Sequence, residues 1–149
     1  MRNRVFVYGS LMPGHLRWPV LEPHATVRLE AWVPGRLYDT GQGWPAAVFD
    51  EATTEAIVGW VVELQVDRTA DVLAELDAIE GWTGRGSESL FERVAVRPRL
   101  AMAEGAAIPA AARLPEGIGT TPIEVWSYQV VRPDPAWRQI DRWTRAAER

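Results

Sequence analysis

The sequence contains no cysteine and no lysine, and these two absences exclude several kinds of chemistry. Without cysteine there is no disulfide, no thiolate metal site and no cysteine nucleophile. Without lysine there is neither Schiff-base chemistry nor a phosphate-binding loop of the Walker type. Histidine occurs only at His15 and His24, so a metal site with three histidine ligands is excluded as well.

Excess positive charge and long apolar runs are also missing. The net charge is −4, whereas nucleic-acid binding normally needs a basic field. No segment approaches the ~20 apolar residues of a membrane helix, and the apolar run near the N-terminus is too short for a signal peptide. We therefore expect a soluble, cytoplasmic protein with neither a nucleic acid nor a membrane as partner. The length predicts a single domain over residues 1–149.

The order of apolar patterns predicts an α+β fold. Short β-rich runs predict strands, the second of them interrupted at Pro34-Gly35, over residues 5–8, 25–38, 44–49, 57–66, 90–96 and 123–131. Apolar spacing of about 3.6 residues predicts helices over 69–80 and 136–147. This order favours a small mixed or antiparallel β-barrel with flanking helices. Residues 101–122, rich in alanine, glycine and proline, are expected to form a mobile insertion.

The segment Tyr8-Gly9-Ser10-Leu11 follows the first predicted strand, and its glycine turns the chain. Successive backbone N–H groups in such a turn can converge on an oxyanion or a carboxylate. An ordinary turn at a strand end is the alternative. Ser10 as a nucleophile with His15 as its base is a further interpretation. It is disfavoured because no Gly-x-Ser-x-Gly sequence surrounds Ser10 and no acid evidently orients His15.

The two histidines and a nearby acid raise the question of a metal site. His15, Glu22 and His24 lie close together in a proline-rich segment. Their spacing fits no usual ligand pattern, and solvated histidines are the simpler interpretation. We therefore predict no metal site.

Glu80 ends the predicted helix over 69–80 and is followed by Gly81 and Trp82. Leu76 and Ile79 face the core, and Glu80 lies about 100° further round the helix. A carboxylate at the edge of an apolar face is partly desolvated, which raises its pKa and suits it to move a proton. The alternative is a solvated glutamate at a helix end.

Several segments carry a resemblance when they are taken in order. They are Val5-Phe6-Val7 with Tyr8-Gly9-Ser10-Leu11, Gly35–Asp39, Trp44–Val48, Val58–Leu64, Leu76-Asp77-x-x-Glu80-Gly81, Phe91-Glu92-Arg93 and Trp126-Ser127-Tyr128. Together they span roughly residues 4–131 and resemble the gamma-glutamylcyclotransferase-like proteins. The fold implied is a small β-barrel with flanking helices, in agreement with the predicted elements.

The resemblance also implies a reaction and a site. The α-amine of a γ-glutamyl group attacks its own γ-carbonyl, 5-oxoproline forms and an amine is released. Glu80 matches the catalytic glutamate. The other matching residues would bind the substrate: Tyr8, Gly9, Ser10, Leu11, Phe91 and Tyr128. The chemistry implies no cofactor and no metal. The partner would be a small γ-glutamyl compound, and the protein a monomer or a homodimer.

Two departures from the family pattern bear on function. Phe91 replaces the tyrosine of a Tyr-x-Arg motif, so a hydroxyl is lost there, and residues 101–122 have no clear counterpart. Two alternatives therefore remain open. One is a binding protein with the same barrel and no chemistry, and the other is a hydrolase or amidotransferase acting on another acyl-amine. The sequence does not name the leaving amine.

Overall fold

A computed structural model of the chain describes residues 3–82, 84, 89–100 and 124–148. The described residues form strands β1 (Arg4–Val7), β2 (Ala25–Asp39), β3 (Pro45–Phe49), β4 (Ala56–Leu64), β5 (Phe91–Val96), β6 (Arg99–Leu100), β7 (Val125–Val130) and β8 (Arg138–Ile140). The helices are α1 (Trp18–Leu21) and α2 (Thr69–Glu80). Within these ranges no helix is long and apolar enough to cross a membrane. The insertion predicted over 101–122 lies outside the described residues.

The strands build one mixed sheet in the order β3-β2-β4-β1-β7-β5, and β6 and β8 also pair with β2. Strand β1 lies in the middle, antiparallel to β4 and parallel to β7. The sheet curls until β3 approaches β7, where the Phe49 N–H donates to Gln129 Oε1 at 3.3 Å. The fold is therefore α+β with a mixed sheet nearly closed into a barrel, which confirms the predicted class.

Strand β2 changes partner at the predicted interruption. Its first part pairs with β4 as far as Pro34, and from Gly35 onward it pairs with β3. A side chain at Gly35 would bring a Cβ within 2.5 Å of the Val48 carbonyl oxygen. Pro34 and Gly35 thus do not divide the segment into two strands. They mark the point where one long strand bends between two partners.

The core fills the barrel and the space beneath α2. Strand β1 contributes Val5 and Phe6, and α2 contributes Val72 and Leu76, all at most 2% exposed. Burying a large apolar side chain stabilises a fold by about 1.5–3 kcal/mol. Strand β4 crosses β1 closely at Gly59, where a Cβ would lie 2.2 Å from the Val7 carbonyl oxygen. The close crossing fixes β1, and with it the segment that follows.

Helix α2 has the predicted bounds, Thr69–Glu80. No side chain caps the N-terminus of this helix, and the Thr69 hydroxyl donates to the Gln65 carbonyl at 2.9 Å. The predicted end is confirmed. Gly81 adopts φ 73°, and the Trp82 N–H donates to the Asp77 carbonyl at 2.9 Å, as in a glycine-terminated helix. This ending leaves Glu80 as the last helical residue.

The predicted C-terminal helix over 136–147 is wrong. Arg138–Ile140 forms β8, which pairs with the end of β2, and Arg145–Ala147 forms a short 3₁₀ turn. A short helix is marginal without tertiary support, whereas the edge of β2 offers unpaired backbone groups. The apolar spacing that suggested a helix instead places Trp143 in the main core and Trp137 against a smaller cluster.

Candidate functional site

A pocket of about 270 Å³ opens where the end of β1, the loop of residues 9–17, the C-terminal end of α2 and strands β5 and β7 meet. Most of its wall is apolar. All predicted site residues line it, namely Tyr8, Gly9, Ser10, Leu11, Glu80, Phe91 and Tyr128. Residues from distant parts of the sequence thus share one cavity.

Glu80 extends into this pocket from the end of α2 and is half-buried. Burial raises the pKa of its carboxyl group to about 7, and the positive charge of Arg17 opposes this rise. Leu76 and Ile79, on the same helix, form the apolar wall beside it. A carboxyl group with a pKa near 7 exchanges its proton readily at neutral pH, which suits a general base and acid.

Tyr8 is buried at the end of β1, and its Oη donates to the Tyr128 carbonyl at 2.8 Å. Burial raises the pKa of the Tyr8 hydroxyl well above its usual value, and the nearby Glu80 carboxylate raises it further. Tyr8 therefore stays protonated at the pH values at which Glu80 exchanges its proton. Its hydroxyl fastens β1 to β7 and leaves the ring as part of the pocket wall.

Tyr128 faces α2 from β7, and its Oη donates to Asp77 Oδ1 at 2.5 Å. Burial and the bond to Asp77 raise the pKa of the Tyr128 hydroxyl, so this group is a stable donor. The other Asp77 oxygen lies 3.5 Å from Arg93 Nη1. The sequence did not predict that Asp77 and Arg93 support the site. The spacing could have indicated Asp77, because it precedes Glu80 by about one helical turn and so lies on the same side of the helix.

Gly9 is needed for space and not for a left-handed backbone. Its φ is not positive, so any residue could adopt the backbone conformation at this position. A Cβ at Gly9 would lie 2.8 Å from Pro45 Cγ. The following loop is closed by bonds from the Met12 N–H to the Gly9 carbonyl (3.0 Å) and from the Arg17 N–H to the Ser10 carbonyl (2.7 Å).

Ser10 and Leu11 present backbone donors beside the pocket. Within the described part of the chain, neither N–H group has a hydrogen-bond acceptor. Both residues line the pocket, and Leu11 is buried. Backbone donors at buried residues normally have partners in a folded protein. Two unpaired donors in one turn are therefore suited to receive an anionic or carbonyl oxygen.

The expectation that no acid orients His15 is wrong, but the structure does not support Ser10 as a nucleophile with His15 as its base, because Ser10 lines the pocket and His15 is not among its described lining residues. His15 Nδ1 bonds to the Glu148 carboxylate, whose second oxygen accepts the Leu16 N–H at 3.0 Å. The C-terminal segment thus holds the loop of residues 9–17 in place. Arg145 adds a bond to the Gly14 carbonyl at 2.9 Å.

Neither the histidines nor the acids build a metal centre in the described ranges. No group of three or more histidine, aspartate or glutamate side chains there is arranged to hold a metal ion. Glu22, near His24 in sequence, instead accepts a hydrogen bond from Trp18 Nε1 at 2.6 Å.

Phe91 forms an apolar wall where the related motif has a tyrosine. It is buried, and its ring lies 5.4 Å from the ring of Trp44, centre to centre. Trp44 also lines the pocket and packs edge-on against Trp137. This side of the pocket is therefore aromatic and without a hydroxyl.

Comparisons with solved structures agree with the fold. The AIG2-like protein from Mus musculus has a TM-score of 0.67 and 16% identity, over 96% of this chain and 88% of that one. For YkqA from Bacillus subtilis the TM-score is 0.59 and the identity 18%, over 96% of this chain but 40% of that one. For At5g39720.1 from Arabidopsis thaliana the values are 0.55 and 24%, over 89% and 72% of the two chains.

These structures share the fold, at identities too low to transfer an activity. A search of curated proteins finds no match. A family model, described as gamma-glutamyl cyclotransferase, AIG2-like, matches residues 5–143. The match covers β1 from Val5 onward, both α-helices and every predicted site residue. The chain therefore belongs to the gamma-glutamyl cyclotransferase, AIG2-like family.

Proposed function

We propose that the protein is a cyclotransferase, which converts a γ-glutamyl amine or amino acid to 5-oxoproline and a free amine. The observation that carries the proposal is Glu80, a carboxyl group with a pKa of about 7 in a largely apolar pocket. The unpaired N–H groups of Ser10 and Leu11 line the same pocket. Membership of the family supports the same class of reaction.

The reaction can be balanced with these groups alone. The α-ammonium of the substrate first gives a proton to the Glu80 carboxylate. The resulting amine attacks the γ-carbonyl carbon, a C–N bond forms and the carbonyl oxygen becomes an oxyanion. In the proposed reaction the N–H groups of Ser10 and Leu11 stabilise that oxyanion. Glu80 returns its proton to the departing nitrogen as the original C–N bond breaks. The regenerated carboxylate then takes the second proton from the ring nitrogen and passes it to the released amine, so the products are 5-oxoproline and an ammonium ion.

The energetic demands match what the site offers. Nucleophile and electrophile belong to one molecule, so the enzyme mainly has to hold the ring-closing conformation. Proton transfer by a positioned side chain contributes about 10²–10⁴-fold in rate. A pKa near neutrality lets Glu80 serve first as a base and then as an acid.

The test is a mass-spectrometric assay for 5-oxoproline, with a panel of γ-glutamyl amino acids and γ-glutamyl amines. We expect product from the wild type and a loss on the order of 10²–10⁴-fold for Glu80→Gln. Glu75→Gln is the matched control, because Glu75 lies exposed on the same helix. Turnover retained by Glu80→Gln would contradict the assigned role. A loss supports the role when the variant still unfolds cooperatively in urea.

Phe91 lacks the hydroxyl of the tyrosine in the family motif. One alternative function is therefore a protein that binds γ-glutamyl compounds and catalyses no reaction. Calorimetry separates the two functions. Binding of a γ-glutamyl compound that is recovered unchanged from the wild type would establish the binding protein. A free acid product in place of 5-oxoproline would instead identify an acyl-amine hydrolase.

A further inference from the structure

The pocket carries a single positive charge among its described lining residues, Arg17. Arg17 is exposed, and its guanidinium has no carboxylate partner within the described part of the chain. Its backbone is fixed by the bond to the Ser10 carbonyl and by the start of α1 at Trp18. An unpaired arginine beside a pocket is suited to bind a carboxylate through two parallel hydrogen bonds.

Exposed apolar side chains accompany this charge. Leu16 and Leu90 are 54% and 44% exposed, and both line the pocket. Only two other large apolar side chains in the described ranges are as open to solvent, Val66 and Val131, and neither lines it. Exposed apolar surface around a cavity favours an apolar ligand group.

The positions of Glu80, of the Ser10 and Leu11 N–H groups and of Arg17 indicate how a substrate would lie in the pocket. The reacting carbonyl has to reach Glu80, which is half-buried, and the N–H groups of Ser10 and Leu11. The γ-glutamyl part therefore occupies the inner end of the pocket. The leaving group then extends towards the exposed side chains of Arg17 and Leu16.

We propose that the leaving amine is an α-amino acid with an apolar side chain, and that Arg17 recognises its free carboxylate. The inference rests on the proposed cyclotransferase reaction and specifies its substrate class. The leucines would contact the apolar side chain. Pairing Arg17 with a substrate carboxylate would also remove the charge that opposes the raised pKa of Glu80, so the bound enzyme would hold a stronger base.

The experiment compares γ-glutamyl-phenylalanine with γ-glutamyl-phenethylamine, which differ by one carboxylate. A charge-assisted hydrogen bond predicts that wild-type kcat/KM for the amino acid is higher by about 10–100-fold. Arg17→Met should bring the ratio of the two kcat/KM values close to 1. The ratio is the readout because loss of the Arg17 charge also changes the pKa of Glu80, and that change acts on both substrates alike. Arg132→Met is the control, because Arg132 is exposed and does not line the pocket. A third substrate, γ-glutamyl-aspartate, should be used at least about 10-fold less well than γ-glutamyl-phenylalanine.

Several outcomes would overturn the inference. One is equal use of the two phenyl substrates by the wild type, and another is an equal loss for both in Arg17→Met, which would place Arg17 on the glutamyl part. Equal use of γ-glutamyl-aspartate would overturn the apolar specificity.

Failure of the cyclotransferase proposal itself is distinguishable. If the wild type forms no 5-oxoproline, the dissociation constants of the two phenyl compounds are measured for wild type and Arg17→Met. A carboxylate preference lost in the variant upholds recognition by Arg17 without cyclisation. Equal affinities, or no binding, overturn both proposals.

Discussion

Tyr128 Oη donates a hydrogen bond to Asp77 Oδ1 at 2.5 Å and so ties β7 to the helix that ends at Glu80. Asp77 also pairs with Arg93, whose guanidinium lies 5.0 Å from the ring centre of Trp82 and 4.7 Å from that of Trp126. The end of α2 is thus fastened to the barrel by charge, hydrogen bonding and ring contacts together. The contacts of Asp77, together with the helix itself, therefore fix the position of Glu80 relative to the barrel.

We expect Tyr128→Phe to lower the free energy of unfolding by about 1.5–3 kcal/mol, the range for a hydrogen bond to a charged group. Urea denaturation followed by tryptophan fluorescence measures the change. Tyr38→Phe is the control, since no hydrogen bond of the Tyr38 hydroxyl occurs within the described residues. Equal losses in the two variants would show that the Asp77 bond contributes nothing specific.

The raised pKa of Glu80 predicts a pH-dependent stability. Its folded-state pKa of about 7 lies above the ordinary value of 4.5, so between these values the folded state binds more protons than the unfolded state. This contribution is fully present below pH 4.5 and is lost as the pH rises through 7. Each unit of difference corresponds to about 1.4 kcal/mol.

Glu80→Gln isolates this term, because glutamine stays neutral at every pH. Urea unfolding of both proteins at pH 5 and pH 8 gives the difference in stability between them. We expect the wild type to lose up to about 3 kcal/mol relative to the variant across this range. A difference that does not change with pH would mean that the carboxyl group titrates normally.

Gly9→Ala should weaken substrate binding, because the added Cβ would approach Pro45 Cγ to 2.8 Å and displace the turn that carries the Ser10 and Leu11 donors. Overpacking of this kind costs about 1–3 kcal/mol. The measurement is KM for the best γ-glutamyl substrate. Gly41→Ala is the control, since Gly41 has φ 78° with no atom near its Cβ position, so it tests backbone strain alone. Similar KM values for Gly9→Ala and wild type would refute the steric role.

The features that can be predicted from the sequence are those that depend on a local pattern of residues. Helix α2 was placed over its observed residues because its apolar spacing is regular and Gly81 ends it. Glu80 was expected at the edge of an apolar face for the same reason. The predicted helix over 136–147 failed because its apolar side chains also suit a short strand and a turn. The edge of β2 that decided between them lies about a hundred residues away, at Asp39 opposite Arg138.

The contacts that complete the site join residues distant in sequence, and they depend on how the strands pair in the sheet. Tyr8 meets the Tyr128 carbonyl across 120 residues of sequence, and this contact needs the parallel pairing of β1 with β7. Arg17 lies in a loop without periodicity, so no local signal identified it. The steric role of Gly9 has no local signal either, because Pro45, which excludes a side chain there, is distant in sequence.

The central place of β1 has a consequence for synthesis. Residues 4–7 leave the ribosome before their partners in the sheet, which are residues 56–64 and 125–130. Pairings this distant in sequence make folding slow compared with local contacts. The pocket cannot form on a nascent chain until β7 has emerged, and the loop of residues 9–17 is held by Glu148 only later still. The growing chain therefore keeps the apolar strand β1 without a partner until residues 56–64 have emerged, and its second edge stays open until residues 125–130 follow.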